Sequence, residues 1–566
     1  MAQDDLTGKH LDYALFLPAI GGHFSTAIGQ ERFDKYEESR GRFPQGMTTM
    51  ENLNWWNSKE GFFPYKWSLY SAGHASLDLN KTVKSEDMIR NREKGTFMLG
   101  DSGGFQIGKG KWEGDWRDPN GAEVQAELAA AIKLGVELKP VLDEQSNPVL
   151  DKNNNPKTVK VDHEKNFRDR LAAADKKRKE VLNWLDTLAD YAMILDIPTW
   201  IVREPSGMKA TQITSHQQAV DATKFNNEFF INNRKGVKNG GTKFLNVLQG
   251  ANHTDADEWY ETMKHYCDPA QYPDNHFNGW AMGGQNMCDI HLILRRLIAL
   301  KYDGLLQEGK HDWMHFLGTS KLEWAVLLTA VQRAVRKYAN PNFQISFDCA
   351  SPFLAAANGQ VYHERSFPND GRWSYRMYKF ADDKKYSTDT RKLSDAVVQD
   401  GFYKVFQDSP VSDLLQIKDV CYYKPGDLNK IGKEGKSSWD GFSYILLKAH
   451  NCWMHLTAVQ EANRRYDAGE YPKMMRYSAP TQDKFEDVVE RIFAAPTREA
   501  SMELIEQYES YWLEIAGTRG YTGKKARNAT TMFNQFFEFV DETPQVEEDE
   551  EPEFNLEDTN DNPEEL

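Results

Sequence analysis

The sequence predicts an α/β fold, a (β/α)8 (TIM) barrel with insertions, followed by a helical C-terminal part and a disordered acidic tail. Short apolar runs alternate with helical stretches, which is the pattern of a parallel sheet covered by helices. Eight such runs are present, the number that a closed barrel requires. Most of them end in Asp, Gln or Gly, and the active site of a barrel is built at that end of its strands.

The predicted strands are spread over the first 350 residues. They cover residues 13–19, 67–72, 95–100, 191–196, 244–249, 279–283, 314–318 and 344–348. Apolar spacing and helix-forming composition predict helices over residues 122–135, 164–190, 211–233, 286–302 and 321–337. The polar stretch 140–162, with Asn153, Asn154, Asn155 and Pro156 in its middle, is predicted to be an excursion on the barrel surface. No internal repeat is evident.

Four regions follow from this pattern. Residues 1–350 are assigned to the barrel core with its insertions, and residues 351–435, which lack regular periodicity, to an irregular insertion. Helices resume at 441–467 and 482–515, so residues 436–540 form a predicted C-terminal helical region. Residues 541–566 hold 13 acidic and no basic side chains, which predicts a disordered tail. Without this tail the net charge of −16 falls to −3.

Composition narrows the class of protein further. A hydrophobic content of 40% is ample for a large core. Five cysteines in 566 residues are too few for a disulfide framework and suit a reducing compartment. No apolar run approaches about 18 residues, and the N-terminal MAQDDLTGKH lacks the features of a signal peptide. We therefore expect a cytoplasmic protein without a membrane partner.

Two aspartates at strand ends carry the predicted chemistry. Asp101 ends one apolar run and is followed by Ser-Gly-Gly-Phe-Gln, so the paired glycines let a planar ligand approach the backbone and Phe105 offers a ring to stack on it. Asp348 ends a later run. Two carboxylates at one rim suit a double displacement at a sugar carbon, because one can attack C1′ while the other moves a proton.

Further strand ends between the two aspartates predict a pocket for a base. Asp196 and Gln249 can hydrogen-bond the edge of a purine, and Gly283 and Gly284 can present backbone N–H groups to its carbonyl oxygen. An ordinary β-to-α turn is the alternative for any single one of these positions, because such turns also use Asp and Gly.

The run Asp101-Ser-Gly-Gly-Phe-Gln106 resembles the DSGGFQ signature of the tRNA-guanine transglycosylase family. Further matches follow in the family's order over residues 95–350: Leu195-Asp196, Val247-Leu-Gln-Gly250, Trp280-Ala-Met-Gly-Gly284, Phe316-Leu-Gly318 and Phe347-Asp-Cys349. A weaker match, Leu446-Leu447 with His450-Asn451, falls where the family has a helix bearing a zinc-binding histidine.

The resemblance implies a role for each matching residue. Asp348 is the expected nucleophile and Asp101 the expected general acid/base, while Phe105 stacks on the base. Asp196, Gln249 and the Gly284 amide are expected to read the edge of guanine or a 7-deazaguanine, with Gln106 supporting the pocket. Loss of activity, as in the family's non-catalytic partner subunits, is the alternative that the resemblance leaves open.

The chain departs from the family in two places. Gln285-Asn-Met-Cys-Asp289 follows the glycine pair where the family has small apolar residues and a glutamate, which leaves the accepted 7-substituent open. Residues 351–435 stand where the family has its zinc subdomain, and the family's zinc-binding cysteine triplet is missing there. No cofactor is therefore assigned. The remaining metal candidates are Cys421, His450, Cys452 and His455, of which His450 and Cys452 do not face the same way on one helix.

These departures favour a DNA-modifying branch of the family, found in phages and bacterial genomic islands, which inserts 7-deazaguanines into DNA and so evades restriction. The expected partners are DNA and a free base such as 7-cyano-7-deazaguanine, in the host cytoplasm if a phage encodes the protein. The target guanine must then leave the duplex stack. Basic clusters at 176–179, 234–238 and 524–527, and the side chains of Trp55, Trp56, Trp112 and Trp116, are candidates for holding the extruded strand.

Three alternatives stay open at this point. The first is a transglycosylase that acts on tRNA, in the queuosine or archaeosine pathway. The second is a glycoside hydrolase on a barrel, which uses a similar carboxylate pair and for which the 15 tryptophans would suit sugar stacking. The third is a nucleic-acid-binding module without catalysis, which the acidic balance disfavours.

Overall fold

Eight parallel strands form the centre of the protein. The computed structural model describes residues 12–29, 43–83, 86–143, 147–152, 155–287, 289–357, 359–369, 371–379, 384–396, 409–421, 441–476 and 482–517. Its strands are β1 (Leu15–Pro18), β2 (Trp67–Ser71), β3 (Phe97–Asp101), β4 (Val136–Pro140), β5 (Thr158–Asp162), β6 (Tyr191–Met193), β7 (Lys243–Leu248), β8 (Gly279–Met282), β9 (Trp313–Phe316), β10 (Gln344–Cys349), β11 (Gln360–Ser366) and β12 (Ser374–Lys379).

The central sheet closes on itself. Its strand order is β1-β10-β9-β8-β7-β6-β3-β2. Just beyond β1, Ala19 pairs in parallel with Leu69 of β2, and the Ile20 N–H donates to the Leu69 carbonyl at 2.9 Å, which joins the two ends of the sheet. All eight strands predicted from the sequence belong to this sheet, so the predicted (β/α)8 barrel is confirmed.

Helices cover the outside of the barrel, as its apolar strands require. Between the barrel strands lie Gly22–Gly29, Asp87–Arg90, Gly104–Gly108, Ala122–Leu134, His163–Leu188, Pro205–Thr211, His216–Asn233, His253–Met263, Ile290–Tyr302 and Leu322–Tyr338. The predicted helix over 211–233 is interrupted at Gln212, whose φ of 64° ends one helix. The next helix begins after Ser215, whose side chain accepts a hydrogen bond from the Gln218 N–H as an N-cap.

The helix that covers the last barrel strand comes from far along the chain. After β10, the helix Ser351–Ala357 and the β11–β12 hairpin come first, and Ile417–Val420 is a further short helix. The helix Gly441–Asp467 then packs on Leu322–Tyr338, on Gly22–Gly29 and on β1. It therefore takes the place of an eighth barrel helix. Residues on both sides of position 350 share one hydrophobic core, so the assigned boundary there does not divide two cores.

The remaining C-terminal helices lie on the outer layer. Phe485–Ala494 packs on Leu322–Tyr338, and Arg498–Gln507 and Glu509–Gly517 pack on Ile290–Tyr302, while Lys473–Arg476 contacts Phe485–Ala494. A helical C-terminal part is thus present as far as residue 517. The predicted acidic tail lies outside the described residues. None of the described helices is long and apolar enough to cross a membrane.

The described part of the predicted surface excursion, residues 140–162, includes the strand β5, which pairs with β4 in a hairpin. The hairpin follows the helix Ala122–Leu134, and the two together are here called the hairpin arm (residues 122–162). Its helix Ala122–Leu134 packs on the start of His163–Leu188 through a small separate cluster that contains Val124, Ala131 and Phe167. The β4–β5 hairpin follows, paired antiparallel from Val136 opposite Asp162 to Pro140 opposite Thr158.

An eight-residue repeat, which the sequence analysis did not find, shapes the tip of the hairpin arm. Pro140-Val-Leu-Asp143 recurs as Pro148-Val-Leu-Asp151, and each copy ends in an Asn-Pro pair. Asp143 Oδ1 accepts from the Asn147 N–H at 2.8 Å, and Asp151 Oδ1 accepts from the Asn155 N–H at 2.9 Å. The same hydrogen bond is therefore made in both copies of the repeat.

Candidate active site

Asp101 is the last residue of β3 and lies beside the last residue of β2. The parallel register pairs it with Ser71, whose Oγ donates to Asp101 Oδ2 at 2.5 Å. Burial raises the pKa of Asp101, and the nearby charge of Asp348 raises it further, while hydrogen bonds from Ser71 and the Gly103 N–H and the proximity of His315 act in the opposite direction. A carboxyl group with a raised pKa is suited to donate and recover a proton.

Asp348 lies in β10 and is held by one of its two oxygens. Its Oδ1 accepts hydrogen bonds from the Gly318 N–H at 3.0 Å and from His315 Nε2 at 3.1 Å. Gly318 has a φ of 61°, in the left-handed region that favours glycine. No described residue donates a hydrogen bond to Oδ2. The side chain is thus fixed through Oδ1, and Oδ2 is left for a ligand.

His315 connects Asp348 to a buried chain of polar groups that the sequence analysis did not identify. His315 and Ser346 are directly paired on β9 and β10, with Nδ1 of the imidazole 2.9 Å from the Ser346 Oγ. The same Oγ accepts from Trp313 Nε1 at 2.8 Å. The Ser346 hydroxyl therefore has its own proton to donate to Nδ1, and Nε2–H can donate to Asp348. The sequence signal that could have identified His315 and Ser346 is a polar residue within an otherwise apolar strand.

Asp196 and Gln249 form a second polar pair at the same end of the barrel. Gln249 Nε2 donates to Asp196 Oδ2 at 2.8 Å, and both side chains are buried. Burial raises the pKa of Asp196 to about 7, with a further increase from the charge of Asp101, while the hydrogen bond from Gln249 lowers it. Since the charge of Asp348 acts on Asp101 and the charge of Asp101 acts on Asp196, the structure brings the three predicted carboxylates into one site.

The glycine pair serves this site mainly by being small. A Cβ on Gly283 would lie 2.7 Å from Gln249 Nε2, and one on Gly284 would lie 2.6 Å from the Gly250 carbonyl oxygen. The Gly283 N–H donates to the Leu248 carbonyl at 2.8 Å, so the prediction that this amide faces a ligand is wrong. The Gly284 N–H takes no part in this strand ladder.

Phe105 and Gln106 follow Asp101 in a short helix on the rim. The Phe105 ring is half-buried, and its centroid lies 5.6 Å from that of Trp200, a neighbour not predicted from the sequence. Lys109 Nζ lies 5.6 Å from the Phe105 centroid, a cation–π distance. Gln106 is buried against Gly73, where a Cβ would lie 2.2 Å from the Gln106 Cδ. Gln106 is therefore packed against the short helix Ala72–His74 that follows β2.

The four metal candidates lie in the core. Cys421, His450, Cys452 and His455 are all fully buried. His450 Nε2 lies 3.2 Å from the Tyr362 carbonyl oxygen, whereas the His455 ring lies 4.3 Å from the Phe16 ring at a tilt of 34°. Burial lowers the pKa of His450 to about 4 and that of His455 to about 3. In the part of the chain that the structure describes, no three His, Cys, Asp or Glu side chains are grouped to hold a metal ion. No catalytic step is assigned to zinc.

Several residues expected to hold an extruded strand are buried and have structural roles instead. Trp55, Trp56 and Trp116 are fully buried, so their predicted role in strand contact is wrong, while Trp112 is half-buried. The basic clusters contain both buried and exposed side chains. Arg178 of cluster 176–179 is buried and donates to Asn226 Oδ1 at 2.6 Å, and Arg234 of cluster 234–238 donates to the Thr242 carbonyl. Cluster 524–527 lies outside the described residues.

The fold and the site together define a (β/α)8 barrel with three interacting carboxylates at the carboxyl ends of its strands. No protein-family model matches the chain, and no curated protein matches it.

Proposed function

We propose that this barrel is a guanine transglycosylase, which exchanges guanine in DNA for a 7-deazaguanine through a covalent aspartyl-glycosyl intermediate. The observation that carries the proposal is the arrangement of Asp348 and Asp101: one carboxylate is fixed through a single oxygen, and the other, close enough to act on it electrostatically, has a raised pKa. A nucleophile and a general acid with these properties are what the reaction requires.

In the first half of the proposed reaction, Asp348 Oδ2 attacks C1′ of the target nucleotide. The bond between C1′ and N9 of guanine breaks, its electron pair goes to the departing base, and Asp101 supplies the proton that neutralises that base. In the second half, Asp101 takes a proton from N9 of the incoming 7-deazaguanine. N9 then attacks C1′, and the ester bond to Asp348 breaks. Both carboxyl groups return to their starting states, so no further reactant is needed.

Base recognition is assigned to the buried pair Asp196–Gln249. Their oxygen atoms can accept hydrogen bonds from the N1–H and exocyclic amine of guanine, groups that a 7-deazaguanine shares. Gln249 Oε1 is buried and has no partner among the described residues, and such an atom gains most from a ligand donor. The Gly284 amide is the proposed donor to the base carbonyl, and Phe105 the proposed stacking surface.

DNA is proposed as the polymer because the chain lacks the family's cysteine triplet and carries large insertions. A free base such as 7-cyano-7-deazaguanine is the proposed second substrate. The family membership, phage or genomic-island origin and cytoplasmic location belong to the same proposal.

Incubation of the purified protein with radiolabelled guanine and either DNA or tRNA tests the function. We expect label in DNA, with single-stranded or mismatched DNA at least as reactive as duplex because extrusion of the guanine then costs less. Label in tRNA alone would overturn the choice of polymer and leave the base exchange standing. If neither polymer takes up label, the proposed transglycosylase activity is wrong. Release of sugar from an oligosaccharide would then identify a glycoside hydrolase.

A further inference from the structure

The exposed apolar surface of this protein is concentrated on the hairpin arm. Among the described residues, the large hydrophobic side chains that are exposed all lie there: Ile132, Leu134, Val136, Leu138, Leu142, Leu150 and Val159. Leu138 is the most exposed of them, at 70%. Scattered apolar residues on a surface need no explanation, but a cluster on one projecting element is typical of an interaction site.

The charge of this segment indicates which kind of partner it suits. Residues 132–163 contain five lysines and five acidic residues. Nucleic-acid binding depends on an excess of positive charge, which this segment lacks. The balanced charge and exposed leucines favour another protein surface.

The outer edge of β4 is open for strand pairing. Within the described residues β4 pairs only with β5, and all five of its residues are exposed. The Val141 N–H donates to the Lys157 carbonyl and the His163 N–H to the Gly135 carbonyl, so odd-numbered positions face β5. Because the direction alternates along a strand, the backbone groups of Val136, Leu138 and Pro140 point to the open edge.

We propose that this edge joins two copies of the chain, with their β4 strands antiparallel and paired about Leu138. In that register each Leu138 N–H donates to the Leu138 carbonyl of the other copy. Each Val136 N–H donates to a Pro140 carbonyl, and the missing N–H of Pro140 ends the pairing there. The resulting sheet has four strands, and Val136, Leu138 and Pro140 of the two copies line one of its faces.

Charge complementarity supports a second copy as the occupant. The same register puts Glu137 of each copy directly opposite Lys139 of the other, on the face away from Leu138. Within one chain, Glu137 Oε1 already lies 2.8 Å from Lys139 Nζ and 2.6 Å from His163 Nε2, so both side chains are oriented to this face. Opposite charges in directly paired positions stabilise a sheet, and like charges destabilise it.

Sedimentation velocity over a concentration series tests the proposal. We expect a monomer–dimer equilibrium for the full chain. Glu137→Lys and Lys139→Glu each place like charges opposite one another, so each variant should dimerise roughly tenfold more weakly or worse. Lys176→Glu makes the same charge change as Lys139→Glu at a position 80% exposed on the helix His163–Leu188, and it should dimerise like the wild type. Unchanged melting temperatures establish that the variants are folded.

A mixture of the two charge variants makes the test specific for the register. Glu137→Lys has two lysines on this face and Lys139→Glu has two acidic residues, so together they should form a mixed dimer at least as tight as the wild-type one. A wild-type chain that stays monomeric overturns the proposal. Dimerisation that is insensitive to either single charge change also overturns the proposal, and so does a mixture of the two variants that fails to associate. None of these outcomes depends on base exchange, so the proposed function is tested separately.

Discussion

His315 Nε2 lies 3.1 Å from Asp348 Oδ1, and the other nitrogen of the same imidazole lies 2.9 Å from the Ser346 hydroxyl oxygen. His315 is fully buried and sits on the neighbouring strand of the barrel, so it can orient Asp348 without reaching a substrate itself. This makes it a positioning residue, whose loss should affect the step in which Asp348 reacts.

We therefore predict that His315→Leu forms the covalent adduct about 10- to 100-fold more slowly, with little change in KM, because a hydrogen bond to a charged group is lost. Single-turnover trapping of the adduct measures this rate. His315→Gln keeps an N–H donor and should recover part of it. Adduct formation by His315→Leu at the wild-type rate would contradict the positioning role.

The two rim aspartates should fail in different ways. Asp348→Asn should abolish both base exchange and the trapped adduct, because an amide is a far poorer nucleophile at C1′. Asp101→Asn should lose turnover yet still form the first adduct slowly, because proton transfer is its role. Denaturing gels and mass spectrometry distinguish these results. A normal adduct yield from Asp348→Asn would refute the mechanism.

The pKa of Asp196, raised by burial to about 7, predicts a pH-dependent stability. The folded state holds the proton more tightly than the unfolded state, whose Asp has its ordinary value of about 4, so the free energy of unfolding falls as pH rises from about 4 to 7. Asp196→Asn has no carboxyl group to titrate, so its free energy of unfolding should not fall in this way, and the asparagine oxygen can still accept a hydrogen bond from Gln249. The free energy of unfolding of Asp196→Asn should exceed that of the wild type by nearly zero at pH 4 and by roughly 4 kcal/mol at most above pH 7.

Melting temperatures of wild type and Asp196→Asn across that pH range provide the measurement. Asp221→Asn is a suitable control, since Asp221 is exposed and the hydrogen bond that it accepts from Gln217 Nε2 can also be accepted by asparagine. A stability difference that is the same at every pH would show that Asp196 is not held with a raised pKa.

Removal of residues 541–566 should leave the melting temperature almost unchanged, because a tail of this composition is expected to bury little apolar surface. If its 13 acidic residues compete with DNA for basic groups, the shortened protein should bind DNA more tightly, most clearly at low salt. Fluorescence anisotropy over a salt series tests this prediction. Equal affinities at every salt concentration would assign the tail no part in DNA binding.

The sequence by itself determined the barrel strands and most of the helices that cover them. Strands buried on both faces are short and almost entirely apolar, so 13–19 and 191–196 could be located without any structure. It also located Asp101, Asp196 and Asp348, because residues that end parallel strands meet at one rim.

Only the tertiary structure decided the contacts that depend on residues distant in sequence. It placed His315 against Asp348, committed the Gly283 N–H to Leu248, and put the helix Gly441–Asp467 in the eighth outer position. It also buried Trp55, which sequence analysis had assigned to the surface. Periodicity and strand ends report on neighbours along the chain, whereas the partner of a backbone N–H, an imidazole or an indole is set by strand register and by the packing of the outer helices.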